Sequence, residues 1–249
     1  MKKIIALGGG EIGRPGHPIE TTKIDKEIIS LTNKTNPKLL FIPTASSDSE
    51  SYFECVKKHF GNRLKCKVSV LYLLKNKISQ KEIKEKIFNT DIIYVGGGNT
   101  KLMLQTWKKY NVDKLIKQAY NKGVVLSGLS AGSICWFRYG LSDSNKFNNP
   151  DSDFIKISGL GLINALHCPH YNIEVNRKLS LKTLMKKEKG IAIAIDNCCA
   201  IEIIDNKYRV LTSKSTANAY KVYWKNNKYF EEKIEKTQTF QCLNKLLYK

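Results

Sequence analysis

Short apolar runs closed by glycine, proline or polar residues alternate with amphipathic stretches through the first half of the chain. The runs Lys3–Leu7, Lys38–Ile42, Lys67–Tyr72, Asp91–Val95 and Val124–Ser127 read as strands. Between them, helices are expected near 21–33, 50–60, 79–89 and 99–122. Ser79-Gln80-Lys81-Glu82 has the form of a capping box and fixes the start of the third helix. Strands such as Asp91-Ile92-Ile93-Tyr94-Val95 are continuously apolar, as strands covered on both faces must be. This alternation predicts an α/β fold with a doubly wound, mostly parallel sheet. Ligands in such sheets sit beyond the carboxyl ends of the strands. The glycine-rich segments Gly8–Gly10, Gly96–Gly98 and Gly128–Gly132 fall at three of those ends.

The second half changes character. Residues 139–158 are polar and rich in turn formers, and read as a loop; a helix is expected near 174–188. Closely spaced runs follow at Gly190–Ile195, Ala200–Ile204, Tyr208–Leu211, Ala219–Trp224 and Lys228–Glu232, with turns at Asp205-Asn206 and Asn226-Asn227. They predict antiparallel strands near the C-terminus that finish the sheet. With no internal repeat, low-complexity stretch or linker, residues 1–249 are expected to form one α/β domain.

Charge changes this picture less than its size would imply. The net charge is +20, yet only five of the 42 basic residues are Arg, and the Lys residues are spread over nearly every expected helix. Nucleic-acid readers favour the arginine fork and a recognisable motif, so solvated lysine faces are the reading and nucleic acid is not an expected partner. The apolar run of the basic N-terminus ends at Gly8, too short for a secretory core or a membrane span, and a cytoplasmic location is expected. Seven cysteines without C-x-x-C spacing point to reduced thiols, with neither a disulfide framework nor a zinc site.

The chemistry gathers at Val124-Val125-Leu126-Ser127-Gly128-Leu129-Ser130-Ala131-Gly132, a strand entering G-x-S-x-G. A tight strand-to-helix turn needs small neighbours and lifts the serine hydroxyl clear of the backbone, so Ser130 is the candidate nucleophile. Such a serine needs a base. Of four histidines, His17 lies in a Pro/Gly-rich loop and His59 at the expected exposed end of a Lys-rich helix. His167 and His170 share Ala165-Leu166-His167-Cys168-Pro169-His170-Tyr171; Pro169 holds Cys168 extended and can aim His170, which is the expected base, whereas His167 fits a core histidine better. For the carboxylate, Asp143 competes with Asp151, Asp153, Glu174 and Asp196. An oxyanion wants two donors: the Ala131 N–H follows the nucleophile, and Val95-Gly96-Gly97-Gly98-Asn99-Thr100 offers a glycine N–H. Asn99 and Thr100, beside it, are candidates for substrate binding, though either could simply cap the next helix. Gly8-Gly9-Gly10-Glu11-Ile12-Gly13 satisfies G-x-G-x-x-G, but Arg14-Pro15-Gly16-His17-Pro18 breaks the helix that a dinucleotide site requires.

Ser130, Asp143 and His170 follow the chain order of α/β-hydrolases, but forty residues cannot hold that layout, so another strand–elbow–helix architecture is implied. The opening strand with GGG, V-G-G-G-N-T, G-x-S-A-G-S, P-H-Y and the Asp196-Asn197 segment together resemble the peptidase E (aspartyl dipeptidase) family of serine peptidases, which is related to cyanophycinase and has a class I glutamine amidotransferase-like fold. The resemblance is closest to a less characterised bacterial branch, marked by S-A-G-S-I-C-W-F and S-D-S. It implies Ser130 as nucleophile, His170 as base, Asp143 as the acid, the Gly98 and Ala131 amides as oxyanion hole, a small peptide as substrate, and no metal or cofactor. Serine at the elbow, where amidotransferases carry cysteine, argues against glutaminase chemistry. The rival readings are a hydrolase of the same fold acting on another small amide or ester, and a Lys-rich binding protein with a degenerate site.

Overall fold

Strand β1 (Lys3–Leu7) is apolar at Ile4, Ile5, Ala6 and Leu7, and all four side chains are buried. Only a strand covered above and below buries both of its alternating faces. In the computed structural model, which describes residues 1–75, 77–173 and 175–249, β1 lies inside an eight-stranded sheet. Its parallel part contains β2 (Lys38–Ile42), β3 (Lys67–Val70), β4 (Ile92–Val95) and β5 (Val125–Leu129), in the order β1-β5-β4-β2-β3. One face packs Ile4, Leu40, Ile93 and Leu126 with residues of α3 (Gln80–Phe88), α4 (Thr100–Lys109) and α5 (Val112–Asn121). The other face packs Ile5, Phe41, Tyr94 and Val125 with Ile24 and Ile28 of α1 (Thr22–Ser30) and Val56 of α2 (Glu50–Val56). The fold is thus mixed α/β, with a mostly parallel, doubly wound sheet.

The second half departs from its expected arrangement. A second sheet, of six strands, contains β6 (Phe137–Ser142), β7 (Ile155–Ser158), β8 (Ile163–Cys168), β9 (Ala192–Ile195), β12 (Ala219–Lys225) and β13 (Lys228–Lys233). Thus the stretch 139–158, expected as a loop, opens and closes in strands. Their runs are short and only partly apolar, because β7 pairs with β6 alone and stands at the sheet edge. The antiparallel strands β10 (Cys199–Ile204), β11 (Lys207–Thr212) and β14 (Gln241–Cys242) do complete the first sheet beside β1, while β12 and β13 extend the second. One face of the second sheet shares the core of the first through Phe137, Ile163, Ile193 and Tyr223; α7 (Val175–Lys187) covers the other with Leu181 and Met185. Among the described residues no disulfide forms, and no helix is long and apolar enough to cross a membrane.

His59 also differs from expectation. Helix α2 runs on into a wider π-helical turn over residues 57–63, which swings the imidazole inward, where it is 1% exposed and lies 2.8 Å from Asp25 Oδ2. Thr21 Oγ1 donates to that same oxygen at 2.6 Å, and burial raises the Asp25 carboxyl above its ordinary range. A histidine inside a lysine-rich segment is legible as exposed only while the helix keeps its regular period.

Asp48 anchors the segment between β2 and α2. Fully buried, its Oδ2 accepts the N–H groups of Leu73, Leu74 and Lys75 at 2.7, 2.6 and 3.2 Å. Removing a charged acceptor strands three donors, so Asp48→Ala is expected to lower the unfolding free energy by about 2–3 kcal/mol. Urea unfolding measures this; a loss under about 0.5 kcal/mol, the range of ordinary surface substitutions, would show that water replaces the carboxylate.

Candidate active site

The elbow is a place where backbone meets backbone. A Cβ on Gly132 would stand 2.1 Å from the Val95 carbonyl oxygen, and one on Gly128 2.5 Å from the carbonyl oxygen of Gly132. G-x-S-x-G is therefore obligatory here for steric reasons alone. Ser130 itself adopts φ 55°, ψ −117°, outside the ordinary regions for an L-residue, between β5 and the four-residue helix α6 (Ala131–Ile134). Conformations of this kind cost on the order of 1–3 kcal/mol and persist where the surroundings over-determine them. No hydrogen bond within the described residues takes up the N–H of Ala131, the first residue of α6.

His170 follows β8, again with positive φ (53°), and its N–H donates to the Gly8 carbonyl at 3.0 Å. That bond ties the end of the second sheet to the end of β1. Its imidazole lies over Gly9, where a Cβ would stand 2.5 Å from the ring. The glycine run after β1, which resembles a phosphate loop in sequence, makes room for a histidine. His170 Nδ1 is 2.6 Å from Asn197 Oδ1. An amide oxygen only accepts, so Nδ1 carries a proton in this contact, and in the neutral imidazole the lone pair then falls on Nε2.

Ser130, His170, Asn197, Gly97 and Gly98 line one cavity of about 490 Å³. Its other walls are Gly10, Glu11, Ile12, Arg14 and Pro15 of the loop after β1, Leu129, and Ser46, Ser49, Ser51, Tyr52 and Cys55 around the start of α2. Arg14 forks onto Glu11 through Nε at 2.8 Å and through Nη2. This is a pocket of a size that takes a small ligand.

Other expected site residues are engaged elsewhere. The Asp143 carboxylate lies 3.6 Å from Nη2 of the buried Arg177, while the Asn197 amide occupies Nδ1 of the imidazole. Asp143 follows β6, on a different connection from the β9–β10 turn that brings Asn197 to His170. Of its competitors, Asp151 and Asp153 are exposed, and Asp196 is buried with Oδ2 accepting the Asn218 N–H at 2.8 Å. Glu174 lies outside the described residues. Asn99 caps α4, its Oδ1 accepting from Leu102 N at 3.0 Å and its Nδ2 facing the Ser144 carbonyl at 3.4 Å. Thr100 is 1% exposed and receives the Ser142 hydroxyl at 3.2 Å. Both serve the helix start and the β6 end, and neither lines the cavity. In the sequence Asn197 stands out only within the Asp196-Asn197 segment, with no role of its own, and Tyr52 carries no motif.

A serine at a strained strand-to-helix elbow and a histidine line one glycine-rich cavity at the carboxyl ends of an α/β sheet. The chain belongs to peptidase family S51, whose family model matches residues 4–211. It is 35% identical over 224 residues to the uncharacterized peptidase YgaJ of Bacillus subtilis (strain 168), covering 89% of this chain and 92% of the relative. It is 29% identical over 181 residues to the uncharacterized peptidase Lin0382 of Listeria innocua serovar 6a, with 71% and 85% covered. The crystal structure of a peptidase from an acI-B1 Actinobacterium superposes with a TM-score of 0.73 at 20% identity, over 97% of both chains.

His167 has a separate place. It is fully buried, stacked on Phe137 with centroids 4.5 Å apart, with Nδ1 2.9 Å from the Ile193 carbonyl and Nε2 2.8 Å from the Ser133 hydroxyl. That hydroxyl also lies 2.8 Å from the Ser130 carbonyl, so His167 braces the elbow from behind. Burial drives its pKa from the ordinary 6.5 down to about 3. Because the unfolded chain takes up the proton first, the stability this neutral histidine contributes is complete above pH 6.5 and drains away as the pH falls towards 3. Wild-type stability should decline over that window with a contribution of up to about 1.4 kcal/mol per pH unit that His167→Gln lacks. Urea unfolding between pH 7 and pH 4 tests it, and parallel curves for the two proteins would contradict it.

Proposed function

We propose that this peptidase is a serine peptidase that hydrolyses small peptides, down to dipeptides, through an acyl-enzyme on Ser130. The observation that carries the reading is the meeting of the strained Ser130 and of His170, held at Nδ1 by Asn197, in one cavity of about 490 Å³. Ser130 Oγ attacks the scissile carbonyl while His170 Nε2 accepts its proton. The tetrahedral oxyanion is received by the N–H groups of Gly98 and Ala131. The imidazolium returns the proton to the leaving amine, and water, activated by the same nitrogen, releases the acid and restores the serine.

Asn197 accepts at Nδ1 and helps to orient the base. An amide accepting from Nδ1–H fixes the tautomer without adding charge, a role that needs geometry and not a proton transfer. The loop after β1 walls the cavity with Arg14 and Pro15, which supports short substrates over long chains.

Ser130→Ala should leave folding intact and lower kcat roughly 10⁴-fold, and a fluorophosphonate probe should label wild type at Ser130 alone. A pure Ser130→Ala preparation that keeps a tenth of the activity would refute the nucleophile. Asn197→Ala should lower kcat roughly 10- to 100-fold with KM little changed, and Asp143→Asn should stay within about threefold of wild type. Steady-state kinetics on one peptide decides between them. If Asp143→Asn or Glu174→Gln collapses kcat while Asn197→Ala does not, that carboxylate holds the imidazole.

A further inference from the structure

Four consecutive N–H groups leave the end of β4, and three of them are tied down. Gly96 N–H donates to the Ile42 carbonyl at 3.2 Å, Gly97 N–H to the Tyr52 phenolic oxygen at 3.3 Å, and Asn99 N–H to the Ala45 carbonyl at 2.7 Å. Within the described residues, no acceptor takes the N–H of Gly98. Three successive glycines have wide backbone freedom, so a particular direction for one N–H must be imposed from outside. Two of the three restraints are backbone to backbone; Tyr52 is the one side chain among them.

The phenol is itself well held. Helix α2 opens at Ser49, whose hydroxyl accepts the Tyr52 N–H, and the ring meets Phe41 edge-on with centroids 5.1 Å apart. A Cβ on Gly96 would stand 2.8 Å from its Cε1, so ring and glycine loop are in contact. A Cβ on Gly97 would in turn lie 3.3 Å from Cβ of Ser130, which places the restrained peptide directly against the nucleophile. Tyr52 therefore connects a rigid aromatic pair to the strip of backbone beside the serine.

We propose that Tyr52 is a positioning residue for the oxyanion site. By accepting the Gly97 N–H it fixes the Gly96–Gly97 peptide and thereby turns the unpaired Gly98 N–H towards the carbonyl that Ser130 attacks. The inference rests on the serine-peptidase reading of the site. A donor that must be oriented during the reaction is worth less than one already aimed, so loosening this loop slows the chemical step and leaves substrate binding alone.

Tyr52→Phe removes the acceptor oxygen and keeps the ring that packs on Phe41 and Gly96. The kinetic expectation is a fall in kcat of about 10- to 100-fold, with KM within about twofold of wild type. A peptide aldehyde supplies a second readout: Ser130 Oγ adds to its carbonyl carbon, and the resulting hemiacetal oxygen takes the oxyanion position. Aldehyde affinity should fall by the same factor as kcat, whereas affinity for the corresponding peptide alcohol, which forms no adduct, should not change. A purely structural defect would lower the unfolding midpoint and weaken both ligands together, and that result overturns the proposal. So does a Tyr52→Phe enzyme with wild-type kcat and aldehyde affinity while wild type is active and labelled at Ser130. If wild type neither cleaves peptides nor reacts with a fluorophosphonate, the serine-peptidase reading fails and this inference falls with it.

Discussion

The absence of side chains at a few crossing points holds the site together. The turn after β5 can reach its strained form only because Gly128 and Gly132 let the first turn of α6 lie on the Val95 carbonyl. The loop after β1 can accept the imidazole of His170 only because Gly9 offers it a bare backbone. These contacts join three neighbouring strand ends of one sheet to β8 of another. Ser130 and His170 are both placed by them, so the serine, the histidine and the glycine loop form one mechanical unit.

Around that unit, residues that resemble catalytic groups act as braces. His167 is buried and neutral, spanning from the Ile193 carbonyl to the Ser133 hydroxyl behind the elbow. Asn99 and Thr100 secure the start of α4 and the end of β6. Asp48 gathers three amide groups under the wall that carries Ser46 and Ser49. Buried polar groups with satisfied hydrogen bonds add rigidity, and preorganised catalysis requires rigidity.

Much of this was legible in the sequence wherever the signal was local. The strands Lys3–Leu7 and Lys38–Ile42 are apolar runs cut off by glycine and proline, and they fold where the pattern puts them. The capping box at Ser79 is present with both of its hydrogen bonds. The elbow was readable because its glycines answer a steric need inside a five-residue window. What escaped depended on distant partners. Strand β7 has one neighbour and alternating exposure, so its apolar content is low. Asn197 meets His170 across 27 residues, and Tyr52 meets Gly97 across 45; neither pairing has a sequence period to announce it. Asp143, the acid that the family resemblance implied, has its carboxylate 3.6 Å from Nη2 of Arg177, a partner that no local pattern announces.

The position of β1 also has a consequence for how the molecule comes into being. During synthesis Lys3–Leu7 leaves the ribosome ahead of both its neighbours, β5 at residues 125–129 and β10 at residues 199–204. Its two backbone edges therefore wait, unpaired, for more than a hundred residues before the first is bonded, and for nearly two hundred before the second. Contacts of such long range are slow to form and leave nascent chains open to aggregation. His170 and Asn197 meet over Gly9 only once the chain has passed residue 197, so the cavity that they share with Ser130 is completed by segments made long after the elbow itself.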